Sequence, residues 1–472
     1  MPELLHRPAP AAAGTPAAAL TARLAALTAA CGPRRRLVVG VSGGVDSLLL
    51  LEWLREQTAL PLLAVHVHHG LSPHADAWAA RVAEHCAAVQ VPCTVLRVQV
   101  DRTQPSLEAA ARAARHAAFA SLLQPGDALL LAQHADDQAE TLLLRLLRGS
   151  GLSGLGAMRE ARRLPAPDDV WLWRPLLALR RAELVAEAQR RGLRWCEDES
   201  NADTAHDRNF LRHEVLPRLA ARWPALADTL ARAARHLAAG DDLLNAYLDA
   251  DLAPLLQPAG DDWGCGGRET LDAAALLALA GPLAPARQQA LLRRWLARLG
   301  VPAFSEAWLE QLLGLAAARD DAEGELRAAG WEVHRYRGRL VAFPELPVAD
   351  GAAVLAWDGQ GTLELGPGRG ALQAVPPGTP GSLPLALAPQ AVLTVRFRTG
   401  GETFRPAGGA GSRPLKKVLQ DGGVPPWLRA RLPLLHADGE PAAAGDRFAA
   451  AAAAPGPERP PTLHLRWKKP QP

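Results

Sequence analysis

Between Arg36 and Leu147 the chain alternates two hydrophobic patterns. Short, nearly unbroken apolar runs, LVVGV (37–41), LLAVHVH (62–68), TVLRVQV (94–100) and ALLLA (128–132), have the length and β-branched content of strands covered on both faces. Each is followed by a stretch whose apolar residues return every three or four positions: SLLLLEWLRE, DAWAARVAEHCAAV, SLEAAARAARHAAFASLL and DDQAETLLLRLL. This alternation predicts a doubly wound α/β domain with a parallel sheet. The segment VWLWRPLLALRRAELVAEAQRRG (170–192) adds another strand-like piece and helix.

From about Ala220 to Ala342 the spacing turns helical, as in DTLARAARHLAAGDDLLNAYL and ARQQALLRRWLARLG, which predicts a helical middle domain. Residues 346–386, rich in Gly and Pro, read as a connector carrying a few strands. AVLTVRF (391–397) then opens a small α+β C-terminal domain, in which the alanine-rich stretch 449–461 reads as a poorly ordered loop. The expected organisation is an Ala-rich tail and helix (1–33), the α/β domain (34–219), the helical domain (220–345), the connector (346–386) and the C-terminal domain (387–472).

Composition changes this picture at three points. The chain of 472 residues exceeds one ordinary core. Its net charge of +3 is uneven: residues 387–472 hold 13 Lys or Arg against 6 Asp or Glu, a net +7 that leaves −4 for the rest. A basic terminal unit is a candidate for binding a polyanion. The five cysteines (Cys31, Cys86, Cys93, Cys196, Cys265) are scattered and form no CxxC, which argues against a disulfide framework or structural zinc and fits a reducing cytoplasm. No run of about 18 apolar residues free of charge or Pro appears, so no membrane span is expected.

One interruption carries chemistry. The first strand ends in SGGVDS (42–47) before a helix, at the strand end where open α/β sheets bind ligands. Gly43 and Gly44 permit unusual backbone angles and close approach of an anion, and the helix start offers unpaired N–H groups. Ser42 and Ser47 are candidate phosphate donors, with Val45 between them in the loop. Asp46, a carboxylate beside an anion, makes sense as a magnesium ligand. The loop lacks the lysine of GxxxxGK[ST] and is not GxGxxG; the plain alternative is a tight turn with Asp46 as a cap.

SGGVDS resembles the signature of the PP-loop ATP pyrophosphatases. Within them, HVHHGLSPHADAWA (66–79), EAAARAARHAAF (108–119), AQHADDQAETLLLRLLRGSGLSGLGAM (132–158), WRPLL (173–177), WCEDESNADTAHDRNFLRHEVLPRL (195–219) and RPAGGAGSRPLKKVLQDGGVPPWLRARLPLL (405–435) resemble the tRNA(Ile)-lysidine synthetase family. His116 stands where a tyrosine is common, and His68 where many relatives have Asp. The resemblance implies ATP as co-substrate with Mg, free L-lysine, and isoleucine tRNA with a CAU anticodon. The product is lysidine at the wobble cytidine, formed through an adenylated base, which changes decoding from AUG to AUA. A homodimer is possible.

Several residues acquire candidate roles in that frame. His134 comes from a strand end, while Asp137 and Glu140, three apart, share a helical face. They form with Asp46 the expected catalytic set: Asp137 helps hold magnesium or the lysine ammonium, and His134 positions phosphate or an attacking group. Arg112 with Arg115, and Arg208 with Arg212 and the adjacent Asn209, are expected at the rim of the site, contacting tRNA or substrate. WCEDESN either holds those arginines or meets the substrate lysine. Lys416 and Lys417 are candidate RNA contacts, and nearby Trp427 is a base-stacking residue or core. His66 and His68 share a strand face without an evident third ligand, which argues against a metal there. Two rivals keep the loop: a tRNA thiolase, for which the expected paired cysteines are missing, and an ATP-sensing binding module without chemistry.

Overall fold

The structure, a computed structural model, describes residues 15–470 apart from 104–106, 166, 198, 200–202, 261–262, 265–267, 303–304, 319–323, 349–352 and 410. The first 14 residues of the expected tail, Cys265, and part of WCEDESN lie outside the described residues. The chain divides into two compact units, Met1–Leu244 and Asn245–Pro472.

In the first unit the elements run α1 (Pro16–Cys31), β1 (Arg36–Gly40), α2 (Val45–Gln57), β2 (Leu62–His68), α3 (Ala75–Ala88), β3 (Cys93–Arg97), α4 (Leu107–Leu122), β4 (Asp127–Leu130), α5 (Ala135–Leu147), α6 (Leu152–Leu155), β5 (Ala161–Arg163), β6 (Trp171–Trp173), α7 (Arg181–Arg190), α8 (Asp207–Phe210), a π-turn (Leu211–Val215), α9 (Leu216–Arg222) and the start of α10 (Leu226–Leu252). The six-stranded sheet has the order β3-β2-β1-β4-β6-β5. All its pairs are parallel except that of β5, an antiparallel edge strand absent from the sequence expectation.

Alternation along the strands explains why both faces are covered. Leu37 and Val39 point into a core with Leu49, Leu50 and Trp53 of α2, whereas Val38 and Val65 pack with Phe119 of α4 on the other face. Consecutive strands run β1, β2, β3 to one side, and the chain then returns to add β4 on the far side of β1. The carboxyl ends of β1 and β4 therefore flank a topological switch point.

The second unit contains β7 (Leu256–Pro258), β8 (Glu269–Asp272), α11 (Ala273–Leu277), α12 (Ala284–Arg298), α13 (Glu306–Ala317), β9 (Glu325–Ala328), β10 (Trp331–Tyr336) and β11 (Arg339–Pro344). The helices expected here are present and bury Leu291, Leu292, Trp295 and Leu312, but they cover an antiparallel sheet of order β7-β8-β11-β10-β9 that helical spacing did not reveal. Next come β12 (Leu355–Trp357), β13 (Thr362–Glu364), β14 (Ala371–Ala374), β15 (Leu383–Leu385), β16 (Leu393–Arg396), β17 (Thr403–Phe404), β18 (Arg413–Pro414), α14 (Leu415–Asp421), α15 (Pro426–Arg429), β19 (Leu434–Ala437), β20 (Glu440–Ala444), β21 (Phe448–Ala449) and β22 (Leu463–Lys468).

Residues 346–386 are not a detached connector. Their strands pair with later ones, β12 with β16 and both β14 and β15 with β22, so the segment is part of the C-terminal sheets. The alanine-rich stretch is likewise structured: Ala450 donates its N–H to Ala442, residues 451–453 form a 3₁₀ turn, and Ala450 and Ala453 are buried. Small side chains fit closely against a sheet, a fit that composition does not disclose. Among the described residues, no helix is long and apolar enough to cross a membrane.

Candidate active site

The SGGVDS loop leaves β1 and enters α2 with Gly43 at φ +92°, a region that L side chains rarely adopt. An added Cβ there would lie 3.3 Å from Val82 Cγ2, and the Gly43 carbonyl accepts the Cys196 N–H at 2.9 Å. Gly44 differs: its φ of −75° and ψ of 160° suit any residue, and a Cβ would meet only Ser42 Oγ at 3.4 Å. The expectation of unusual backbone angles holds for Gly43 alone, and Gly44 contributes open space.

The two serines also divide. Ser47, buried, donates its hydroxyl to the Gly44 carbonyl at 2.9 Å and accepts the Ser42 N–H at 3.1 Å, so it staples the loop and is not free to donate to a phosphate. Ser42, exposed, accepts the Gly44 N–H at 3.3 Å, and its hydroxyl lies 3.2 Å from Ser47 Oγ. The side chain of Val45 is buried in the core. No side chain caps α2, so its first N–H groups and the positive end of its dipole face the open side of the loop.

Asp46 stands in the first turn of α2. Its Oδ1 is buried without a hydrogen-bond partner, and burial pushes its carboxyl above the usual range despite the nearby His134 and Arg181. An orphaned, desolvated carboxylate oxygen beside an uncapped helix start fits a divalent cation shared with phosphate oxygens.

His134 follows β4 and caps α5: its ring Nδ1 accepts the Asp137 N–H at 3.4 Å, and Asp137 Oδ2 accepts the His134 N–H at 3.1 Å. Its Nε2 lies 3.8 Å from Asp46 Oδ2 and 3.5 Å from Asp137 Oδ2, and its Nδ1 lies 3.5 Å from Asp136 Oδ2. Burial opposes a charge on this ring, but Asp136, Asp137 and Asp46 outweigh it and raise its pKa. At 2% exposure His134 is buried where the two strand ends meet, its ring within 3.8 Å of Asp46, Asp136 and Asp137.

Glu140 is also occupied. It is 1% exposed and accepts from Arg212 Nε at 2.6 Å and Arg208 Nε at 2.7 Å, while Asp137 Oδ1 faces Arg212 Nη2 at 3.2 Å. Glu140 therefore holds the two arginines expected at the rim of the site. Burial disfavours the Arg212 charge, yet Glu140 and Asp137 raise its pKa overall. The acids that fix Arg208 and Arg212 come from α5; the described parts of WCEDESN do not supply them. Asn209 donates Nδ2 to the Asp203 carbonyl at 2.9 Å.

Arg112 and Arg115 of α4 share a cationic patch with Arg208: burial first, then Arg208 and Arg162, lowers the pKa of Arg112, and burial, then Arg112 and Arg208, lowers that of Arg115. Among the described residues neither forms an ion pair. His116, at the same place, is pushed down to about 4 by burial and by Arg112, Arg115, Arg162 and Arg174. Sequence reasoning did not assign Arg162, Arg174 or Arg181, although the last two lie in a segment it singled out, nor Asp136, next to Asp137.

His66 donates Nδ1–H to the Val41 carbonyl at 2.8 Å, and His68 Nε2 lies 3.2 Å from Asp76 Oδ1 beside Arg97. Both lie on β2, between β1 and β3. In the second unit, Lys416 and Lys417 are exposed on α14 while Leu415, Val418 and Leu419 turn inward. Trp427 is core: it is 7% exposed and donates Nε1 to the Trp263 carbonyl at 2.8 Å.

Three protein-family profiles match the chain: a PP-loop domain over residues 16–219, a TilS substrate binding domain over 271–341 and a TilS substrate C-terminal domain over 393–467. Among curated proteins, the tRNA(Ile)-lysidine synthase of Methylococcus capsulatus is 41% identical over 432 residues, covering 89% of this chain and 94% of its own length. Those of Serratia proteamaculans (42% over 449 residues; 93% and 97%) and Escherichia coli O157:H7 (41% over 411 residues; 85% and 89%) are similar to the same extent.

Proposed function

The chain belongs to the tRNA(Ile)-lysidine synthase family, and for this ATP-using ligase we propose that free L-lysine is joined to carbon 2 of the wobble cytidine in isoleucine tRNA bearing a CAU anticodon. ATP lies with its β and γ phosphates on the open N–H groups of α2, in the turn set by Gly43. The cytidine O2 attacks the α-phosphorus; a new P–O bond forms and the bond to diphosphate breaks, so the base carries AMP through its former carbonyl oxygen. The neutral lysine ε-amine then attacks carbon 2, its proton passes to water, and the C–O bond breaks to release AMP. Lysidine pairs with A instead of G, which shifts decoding from AUG to AUA.

The protein's part is electrostatic and positional. Asp46, helped by Asp137, would hold magnesium, which neutralises phosphate charge when bound. Arg208 and Arg212, aligned by Glu140, and Arg112 and Arg115, which form no ion pair among the described residues, meet the charge of nucleotide and RNA backbone. Lys416 and Lys417 add affinity for tRNA from the second unit. The observation that carries this reading is the uncapped α2 start with Asp46 Oδ1 left without a partner. The experiment is incorporation of labelled lysine: ATP-dependent labelling of a CAU-anticodon transcript supports it, and sulfur-dependent labelling or none contradicts it.

A further inference from the structure

The helical stretch that carries Arg208 and Arg212 is irregular at one place. In α8 the coil is α-helical, and Phe210 donates its N–H to the His206 carbonyl, four residues back, at 2.9 Å. Between Leu211 and Val215 it widens to a π-turn, where the Leu216 N–H reaches the Leu211 carbonyl, five residues back. The α form then resumes in α9, with Pro217 as the second residue. That proline accounts for the widening. It has no N–H to offer the His213 carbonyl four residues before it, and in a straight α-helix its ring would clash with that carbonyl. A wider preceding turn relieves the clash by taking in one more residue. Pro217 is itself exposed, so its ring contributes little to a core.

Both ends of the stretch are tied down. Asp207 of α8 pairs with Arg148, just past the end of α5, at 3.0 Å. Asp228, in the first turn of α10, accepts from Nε of Arg180, just before α7, at 2.9 Å. Each residue of an α-helix turns the chain by about 100°. An unwidened helix held at α10 would therefore rotate the residues before the turn by about that angle, away from α5. In the observed register Arg212, inside the wide turn, places Nε 2.6 Å from Glu140 Oε1 and Nη2 3.2 Å from Asp137 Oδ1. Arg208, one turn earlier, reaches Glu140 Oε2 at 2.7 Å.

We propose that Pro217 is a positioning residue: it enforces the π-turn, and the π-turn sets the register in which Arg212 is held by Glu140 and Asp137. The proposal rests on the reading above, in which Arg212 meets the charge of nucleotide and RNA. Pro217 acts through Arg212 and not on a reacting atom.

The test is a double-mutant cycle on single-turnover AMP formation at saturating ATP, with lysine and unmodified tRNA. It compares the unaltered chain, Pro217→Ala, Arg212→Ala and the double variant, each with its melting temperature. Alanine is the better helix former, so Pro217→Ala melts no lower than the unaltered chain. Its rate nevertheless falls about tenfold or more, because the relaxed turn moves Arg212 off its two carboxylates. In the Arg212→Ala background the proline substitution lowers the rate less than about twofold, since the group it positions is gone. An unchanged rate in Pro217→Ala overturns the proposal and leaves the ligase reading standing. A further tenfold loss in the double variant also overturns it, because the effect then bypasses Arg212. A melting temperature that falls together with the rate marks a merely structural proline and overturns it too. Lysine-independent AMP formation by the unaltered chain overturns the ligase reading, and with it the duty given to Arg212.

Discussion

At the scale of single residues, the two loop glycines have separate duties. Gly43 needs its positive φ and lacks room, so Gly43→Ala costs about 1–2 kcal/mol from left-handed strain and pushes the loop against Val82. Gly44→Ala leaves thermal stability nearly unchanged but narrows the phosphate seat. The pair is checked by melting temperature together with the ATP KM: the first variant loses both, the second mainly the affinity. His116 gives a pH signature. Its folded pKa of about 4 lies below the ordinary 6.5, so in that window the unfolded chain binds more protons. Its contribution is fully present above pH 6.5 and is lost as pH falls toward 4. Its own NMR titration midpoint near 4, and a shallower loss of stability over that window in His116→Gln, are the expected results. A midpoint near 6.5 contradicts them.

At the scale of elements, α5 is clamped to α8 and the π-turn by Glu140. Glu140→Gln leaves two guanidiniums poorly matched, and the expected outcome is a stability loss of about 2–3 kcal/mol with a larger fall in kcat than in ATP affinity. Denaturant unfolding and steady-state kinetics measure both. The α/β sheet was legible in the sequence because strands such as β1, with Leu37, Val38 and Val39 all buried, are covered on both faces and so read as unbroken apolar runs. The sheet of the second unit was not, because strands such as Glu325–Ala328 and Trp331–Tyr336 are short and carry charges at alternate positions beside long helical patterns. At the site, the loop and the acids of α5 stood out by spacing. That Glu140 and His134 face inward depends on which side chains meet across the fold, and local spacing carries no such information.

At the scale of the whole molecule, the chain joins an ATP-handling unit, Met1–Leu244, to a second unit whose charge is uneven, acidic before residue 387 and basic after it. If exposed Lys416 and Lys417 on α14 meet tRNA phosphates as proposed, replacing both by alanine weakens tRNA binding at low salt. It also reduces the slope of log affinity against log salt by about 2, with the ATP KM untouched. Equal slopes for variant and parent contradict that role. The account as a whole depends on Asp46 and the turn before it as the seat of the leaving diphosphate. The most direct measurement is diphosphate release by Asp46→Ala with ATP, lysine and unmodified isoleucine tRNA: a fall of at least about a hundredfold in a folded protein is predicted, and release at the parent rate would contradict it.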